Sequence, residues 1–424
     1  MKSVNNFLQH PMAKKAIVLG DQVMVSASNF LLGILLVRWM GLSDYGIFAL
    51  LWMAVLFALG INQAWVTKPL LSIAPKMPKA EVASYLANLH LVQCLTSIVF
   101  LLFGTLLYGM APWLFDAEIW PLIPLTSALV FCQLQHDFYR KTSLVKQEFL
   151  RVFCLDGVFY GGQILGVVAL YYFGHLQLVF VLAVLVAVNL ISVIFGMLGS
   201  PWKGTNRTEL LKILVRHFHF SKWLLGTSVL QWLSGNYFII VGASILGTKS
   251  VGAIRLVQNV MGLCHILFLT MENLIPIEAA KQYHLAGENA LTLYLRKMTY
   301  RLGSGFCCLL FLIACFAPEI LQLFYGPTAV EHAYIVSAYV GLYLLVFLGH
   351  PFRFFMRTIE QTAPIFVAYV LSAIFSLATA NFLINYYGMQ GLLLGLIATQ
   401  LISLMTYYFY ITPKVSNRII GIPS

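Results

Sequence analysis

"WMGLSDYGIF", residues 39–48, is a short polar hinge set between two long apolar runs, with Gly41 and Gly46 near its ends. The same G-x-x-x-x-G spacing returns in "ILGTKSVGAI" at Gly247 and Gly252, 206 positions later. Glycine reaches positive φ without a steric penalty, so each stretch predicts a tight turn between two helices. The turn alone is ordinary. Its duplication predicts a chain built of two matching halves.

A second pair of anchors agrees. "YYFGHLQ" from Tyr171 and "NYYGMQG" from Asn385 each introduce the last apolar run of a half, and "NLIS" at 189–192 and "QLIS" at 400–403 follow them. Two anchors at nearly the same offset are the mark of an internal repeat. The halves are placed at residues 1–204 and 205–424, with the basic stretch "GSPWKGTNRTELLKILVRHFHFSKW" at their junction.

Composition decides the solvent. Of 424 residues, 60% are hydrophobic and 10% charged, with a mean hydropathy of +0.85; soluble domains carry about a quarter charged residues. Apolar runs recur along the whole chain, each long enough to cross about 30 Å of hydrocarbon as a helix. Alternation of period two is absent, which excludes a barrel. The predicted class is an all-α polytopic membrane protein of about twelve transmembrane helices in two six-helix lobes. The spans are placed at 16–39, 45–66, 83–108, 119–138, 149–173, 176–198, 223–246, 251–274, 298–316, 333–350, 365–384 and 390–410. The first run is too long for a signal-peptide core and has no A-x-A site, so it is expected to stay uncleaved.

The net charge of +11 follows from orientation rather than from nucleic-acid binding. With the N-terminus inside, 23 of the 26 Lys and Arg fall on the cytoplasmic side. Arg38 and Lys249 fall outside, and Arg255 lies within a span. Asp44, Asp116, Glu118, Glu319 and Glu331 occupy the outer loops. This asymmetry predicts both termini in the cytoplasm.

Several chemistries are excluded. "GASILGTKS" from Gly242 misses the phosphate-binding G-x-x-x-x-G-K-[ST] pattern by one inserted threonine. His217 and His219 point to different sides of a helix. The seven cysteines include no C-x-x-C pair and read as small buried hydrophobes. No metal or other cofactor is expected, and the sequon at Asn206 falls in a cytoplasmic loop. Short outer loops leave no room for a reaction chamber, so the chain is read as moving a substrate and not as an enzyme.

Charges inside the bilayer are costly unless they face a protein cavity, which makes the few intramembrane ones informative. They are Asp21, Arg38, Asp156, Arg255 and Glu272. Arg38, Asp21 and Glu272 lie near interfaces, where snorkelling competes with function. Arg255 stands one turn before Gln258 and Asn259 and gives its helix a polar strip. Asp156 is set in "DGVFYGGQILG", whose Gly157, Gly161, Gly162 and Gly166 suit close helix packing. A carboxylate there could take and release a proton; a paired arginine would make it a structural tie instead.

"LVRWMGLSDYGIFAL", "NLIPIEAAKQYHLAGENALTLYLRK", "LQLFYGPTAVEHAYIVSAY" and "NYYGMQGLLLGLIATQLIS" together resemble the Wzx-type O-antigen and exopolysaccharide lipid flippases of the MATE-related multidrug and oligosaccharidyl-lipid transporter superfamily. That resemblance implies two six-helix lobes around a central cavity, in a bacterial inner-membrane protein. The substrate implied is a lipid-linked oligosaccharide on undecaprenyl pyrophosphate, moved to the outer leaflet by alternating access among membrane lipids. A glycan polymerase and a chain-length regulator are the partners it implies. A cationic cavity receives the head group, for which Arg38, Lys68, Arg140 and Arg255 are the candidates by location. Asp21, Asp156 and Glu272 are the candidates for ion coupling. A MATE-like drug or cation antiporter is the alternative, and a scaffold for glycan assembly a third reading. The loop "KPLLSIAPKMPK" lacks the major-facilitator G-x-x-x-D-R-x-G-R-R pattern.

Overall fold

The computed structural model describes residues 11–114, 118–198 and 207–410. Expectations that rest on Lys2, Asp116, Lys203, Asn206, Lys414 and Arg418 lie outside these. Regular structure among the described residues is entirely helical. Among the described residues, eight helical stretches are long and apolar enough to cross a membrane.

The first helix, α1 (Pro11–Asn62), has 52 residues. At about 1.5 Å per residue it would run far beyond one bilayer thickness if it were straight. It breaks at Gly41, where φ is 83° and ψ 174°. A π-helical turn (Gln63–Thr67) and α2 (Lys68–Ile73) continue it. Next come α3 (Lys79–Leu114), α4 (Ile123–Val145) and α5 (Phe149–Asp156). A second π-helical turn (Gly157–Gly161) leads into α6 (Gly162–Tyr172), and α7 (Leu178–Met197) follows. The chain proceeds through α8 (Arg207–Leu246), α9 (Thr248–Val260) and α10 (Gly262–Cys315). It ends with α11 (Ala317–Tyr325), α12 (Ala333–Thr358) and α13 (Ala363–Tyr410).

Three of the eight apolar stretches contain such a break, at Gly41, at Ala286–Gly287 and at Gly388. Dividing the helices there, and adding the 23-residue α4, brings the number of segments toward the expected twelve, which it approaches without matching span by span.

The quoted hinges share a local geometry. Gly247 has φ 81° and ψ 169°, within a few degrees of Gly41. That corner of backbone space is essentially reserved for glycine. Gly46 and Gly252 are helical, so only the first glycine of each pair makes the turn. Gly174 and Gly388, in the second pair of anchors, also both have positive φ.

The chain divides into two compact units, one ending at Val229 and the other beginning at Leu230, within α8. In the first unit α4 is the central helix, packed against α1, α3, α5 and α7. Its neighbours shield it from lipid, which is why Gln133, Gln135, His136, Asp137 and Thr142 can all be buried on it. Beside it lies an apolar core that includes Val66, Leu70, Leu89, Phe138 and Ile213. Gly162 and Gly166 meet Val188 and Val184 of α7 so closely that any side chain would collide. Gly157 and Gly161 make no such approach; they belong to the π-helical turn. The expected glycine packing therefore operates at one of the two steps.

In the second unit α12 plays the corresponding role, packed against α10 and α13 and touching α9 and α11. A run of rings, Tyr343, Phe268, Phe306, Phe347 and His350, fills its interior. Both units carry large exposed apolar side chains, such as Leu102, Leu165, Ile374 and Phe382, as a lipid-facing surface requires.

Candidate functional site

In the first unit, side chains from four helices converge on Asp156. His136 and Arg140 stand four residues apart on α4, hence on one face. The Arg140 Nε donates to Asp156 Oδ2 at 2.5 Å, and its Nη2 donates to Asp21 Oδ2 of α1 at 2.9 Å. His136 Nε2 lies 3.1 Å from Asp156 Oδ1. The other ring nitrogen, Nδ1, is 2.8 Å from the Ser192 hydroxyl of α7, and that hydroxyl donates to the Leu155 carbonyl at 3.3 Å. The imidazole stacks on Phe159, with ring centres 4.4 Å apart. Side-chain exposure is 17% for Arg140, 6% for Asp21 and 0% for Asp156. Nearby, Thr67 donates to Asp137 at 3.3 Å. The two π-helical turns hold Thr67 and the residues directly after Asp156, so both irregularities border the cluster. π-Helical turns recur at functional sites in helical proteins.

The cluster combines acids and bases in a buried setting. Two carboxylates face one guanidinium and one imidazole, and one oxygen of each carboxylate, Asp21 Oδ1 and Asp156 Oδ1, is buried without a hydrogen bond. With the Ser192 hydrogen directed to Leu155, the His136 Nδ1–H donates to Ser192. A neutral ring then turns a bare Nε2 toward Asp156 Oδ1.

The second unit carries a different cluster. Arg255 Nη1 donates to Gln258 Oε1 at 2.6 Å and Nη2 to Asn236 Oδ1 at 3.2 Å. Gln258 passes the chain on to the Tyr339 hydroxyl at 2.9 Å, and Asn259 donates to the Tyr325 hydroxyl at 2.8 Å. The polar strip expected around Arg255 is thus tied into α8, α11 and α12. Further along α12, Tyr343 meets His265 at 3.1 Å and Arg353 meets His350 at 3.0 Å.

Of the residues singled out in the sequence, Asp21, Arg140 and Asp156 come together in one ion network, joining candidates of both kinds. Arg255 belongs to the second cluster. Glu272 pairs with Arg357 at 2.7 Å on partly exposed side chains. Arg38 and Lys68 are exposed on α1 and α2. His136, Ser192, Tyr339 and Tyr343 were not anticipated; the four-residue spacing of His136 and Arg140 was the one local sign of the first pair.

No family model and no curated protein sequence matches the chain. Solved structures do match it. An inward-facing multidrug resistance MATE family transporter of the MOP superfamily aligns with a TM-score of 0.71 at 14% identity, over 95% of this chain and 96% of that one. The lipid II flippase MurJ, in an inward closed conformation, aligns at 0.61 and 12% identity, over 97% of this chain and 90% of that one. A MOP superfamily transporter from Pyrococcus furiosus, described as having a binding pocket of reversed polarity, aligns at 0.56 and 15% identity, over 96% of each chain. From end to end, this multi-pass helical chain has the fold shared by MATE-type transporters and MurJ.

Proposed function

We propose that this chain is a transporter that flips an undecaprenyl-pyrophosphate-linked saccharide from the cytoplasmic to the outer leaflet of a bacterial inner membrane by alternating access. The observation that carries this reading is the fold, shared along nearly its whole length with a protein described as a lipid II flippase. Arg255 adds support: its guanidinium stays charged and offers a planar fork to phosphate oxygens, and here it is held by two amides. Arg38 and Lys68, exposed on their helices, are further candidates for the anionic head group. Arg140 is committed to two carboxylates and serves the substrate less directly. The orientation places both termini in the cytoplasm, on the strength of the basic-residue asymmetry. A glycan polymerase and a chain-length regulator remain the partners proposed by the sequence resemblance. The two halves are proposed to be a parallel repeat, supported by the near-identical torsions at Gly41 and Gly247.

A second reading, a drug or cation antiporter, is favoured by the higher TM-score against a MATE transporter and by the acids Asp21 and Asp156. The two readings separate in proteoliposomes. A flippase moves a fluorescent undecaprenyl-diphosphate saccharide between leaflets and leaves a cationic dye such as ethidium in place. Arg255→Gln is expected to lower that rate at least ten-fold with unchanged protein abundance. Dye efflux without lipid movement would replace the first reading by the second.

A further inference from the structure

The first third of α8 is a helix with two faces. Leu210, Ile213, Leu214, His217 and Ser221 turn toward the interior of the first unit, to which this part of the helix belongs; there Ile213 and His217 are buried and His217 is held by the Tyr85 hydroxyl at 2.9 Å and the Trp65 carbonyl at 3.1 Å. Its acid, Glu209, is drawn onto α3 by the Ser84 hydroxyl at 2.7 Å and the Asn88 amide at 3.4 Å. The opposite face repeats at three- and four-residue steps through Thr208, Leu211, Lys212, Val215, Arg216 and His219. These residues line a groove of about 570 Å³. A second concavity of about 290 Å³ adjoins it, lined by Ser72, Ile73, Lys76, Arg216 and Phe220. Arg216 therefore stands between two hollows, with Lys212 in one and Lys76 in the other. Among the described residues, no carboxylate lies within ion-pair distance of Lys76, Lys212 or Arg216.

Three cations on a concave, exposed face select an anion. The neighbours of those cations narrow the choice. Leu211, Val215, Phe218, Phe220 and Trp223 are all exposed beside them, so the ligand brings hydrocarbon as well as charge. A tryptophan at the edge of an apolar surface is typical of the bilayer interface, and basic pockets there hold phosphate head groups. The two linings contain no Asn, Gln, Asp or Glu with which to read a saccharide.

We propose that the face of α8 formed by Lys212, Arg216 and Leu211, together with Lys76, binds the phosphate head group of an anionic phospholipid of the adjoining leaflet. On the orientation proposed above that leaflet is the cytoplasmic one; the binding itself requires neither that orientation nor transport. The phosphate sits against Arg216 and one of the two lysines, and the acyl chains lie along Val215, Phe220 and Trp223.

The test is native mass spectrometry of the purified full-length protein with phosphatidylglycerol, phosphatidylcholine, inorganic phosphate and undecaprenyl diphosphate, each titrated separately and in competition. The parent is expected to retain phosphatidylglycerol but not phosphatidylcholine, with affinity falling as salt rises. Each cation removed should weaken binding about five-fold, so Lys212→Gln with Arg216→Gln should weaken it about 25-fold. Lys297→Gln, an exposed lysine on α10, should change nothing. Should the double variant fail to insert, Lys76→Gln on the short surface turn tests the same cation set with a five-fold loss. Equal retention of the two phospholipids, or full binding by the double variant, overturns the proposal. So does displacement by inorganic phosphate at equal concentration, which identifies a free-anion site. Stoichiometric displacement by undecaprenyl diphosphate overturns it in favour of a substrate site.

Discussion

Replacing Arg140 by methionine isolates the energetics of the Asp156 cluster. The guanidinium makes two charge-assisted contacts, at 2.5 Å to Asp156 and 2.9 Å to Asp21, and both acids are buried. Breaking a buried pair by removing one member costs about 3–5 kcal/mol, because the partner charge is left without compensation. Here two charges are left, so Arg140→Met belongs at the upper end, near 5 kcal/mol. Much of that cost is the stranded acids and not the loss of a favourable arginine. Adding Asp156→Asn and Asp21→Asn to the same chain should therefore recover at least about 2 kcal/mol, a coupling within the range for groups in direct contact. The measurement is unfolding of the purified protein in mixed micelles by denaturing detergent, for the parent, Arg140→Met and the triple variant. A single variant within about 1 kcal/mol of the parent, or a triple variant no more stable than the single one, would refute the reasoning.

Other consequences are testable in the same way. Gly41→Ala and Gly247→Ala should each cost about 1–3 kcal/mol, since both positions hold torsions that alanine cannot reach without strain; a loss below about 0.5 kcal/mol at either would show that the turn relaxes freely. If Asp156 carries the coupling proton, Asp156→Asn abolishes the dependence of transport on external pH while downhill flipping persists. A pH profile matching the parent's assigns the acid to the ion pair alone. For the orientation, a cysteine replacing Lys249 should react with an impermeant maleimide on intact cells and one replacing Lys297 should not, in a background without native cysteines; the reverse pattern would invert the topology.

The sequence and the structure agree most closely where one residue type has one physical use. Gly41 and Gly247 were legible because positive φ excludes nearly every other side chain, whereas Gly174 and Gly388, which share the sign of φ, stood in the sequence only as parts of the repeat anchors. Asp21 and Asp156 were legible as acids out of place in hydrocarbon. Arg140 was not legible as their partner. Its span was drawn over 119–138, because a charged residue after an apolar run reads as a membrane boundary, whereas α4 continues to Val145. Only the approach of α1 and α5 makes that charge an interior one, and such an approach leaves no local trace. The same holds for α10, which extends through residues 275–285 before its break, well past the span end expected at 274. The tie from Gln258 to Tyr339, across 81 residues, is equally beyond any periodicity.

The burial of α4 also bears on how the chain enters the membrane. As it leaves the ribosome this segment carries Asp137, Arg140 and Lys141 along with Gln133, Gln135 and His136, and each ionised residue near a helix centre opposes insertion by roughly 2.5–3.5 kcal/mol. The partners that neutralise or cover it lie on both sides in the chain: α1 and α3 are made before it, α5 and α7 after. Alone, α4 has no reason to leave the translocation channel for lipid. Its integration is therefore expected to be cooperative and delayed until α7 has been made. A nascent chain stopped at Val145 should hold α4 beside the channel, and one extended past Met197 should release it, which makes the fourth span a checkpoint in biogenesis.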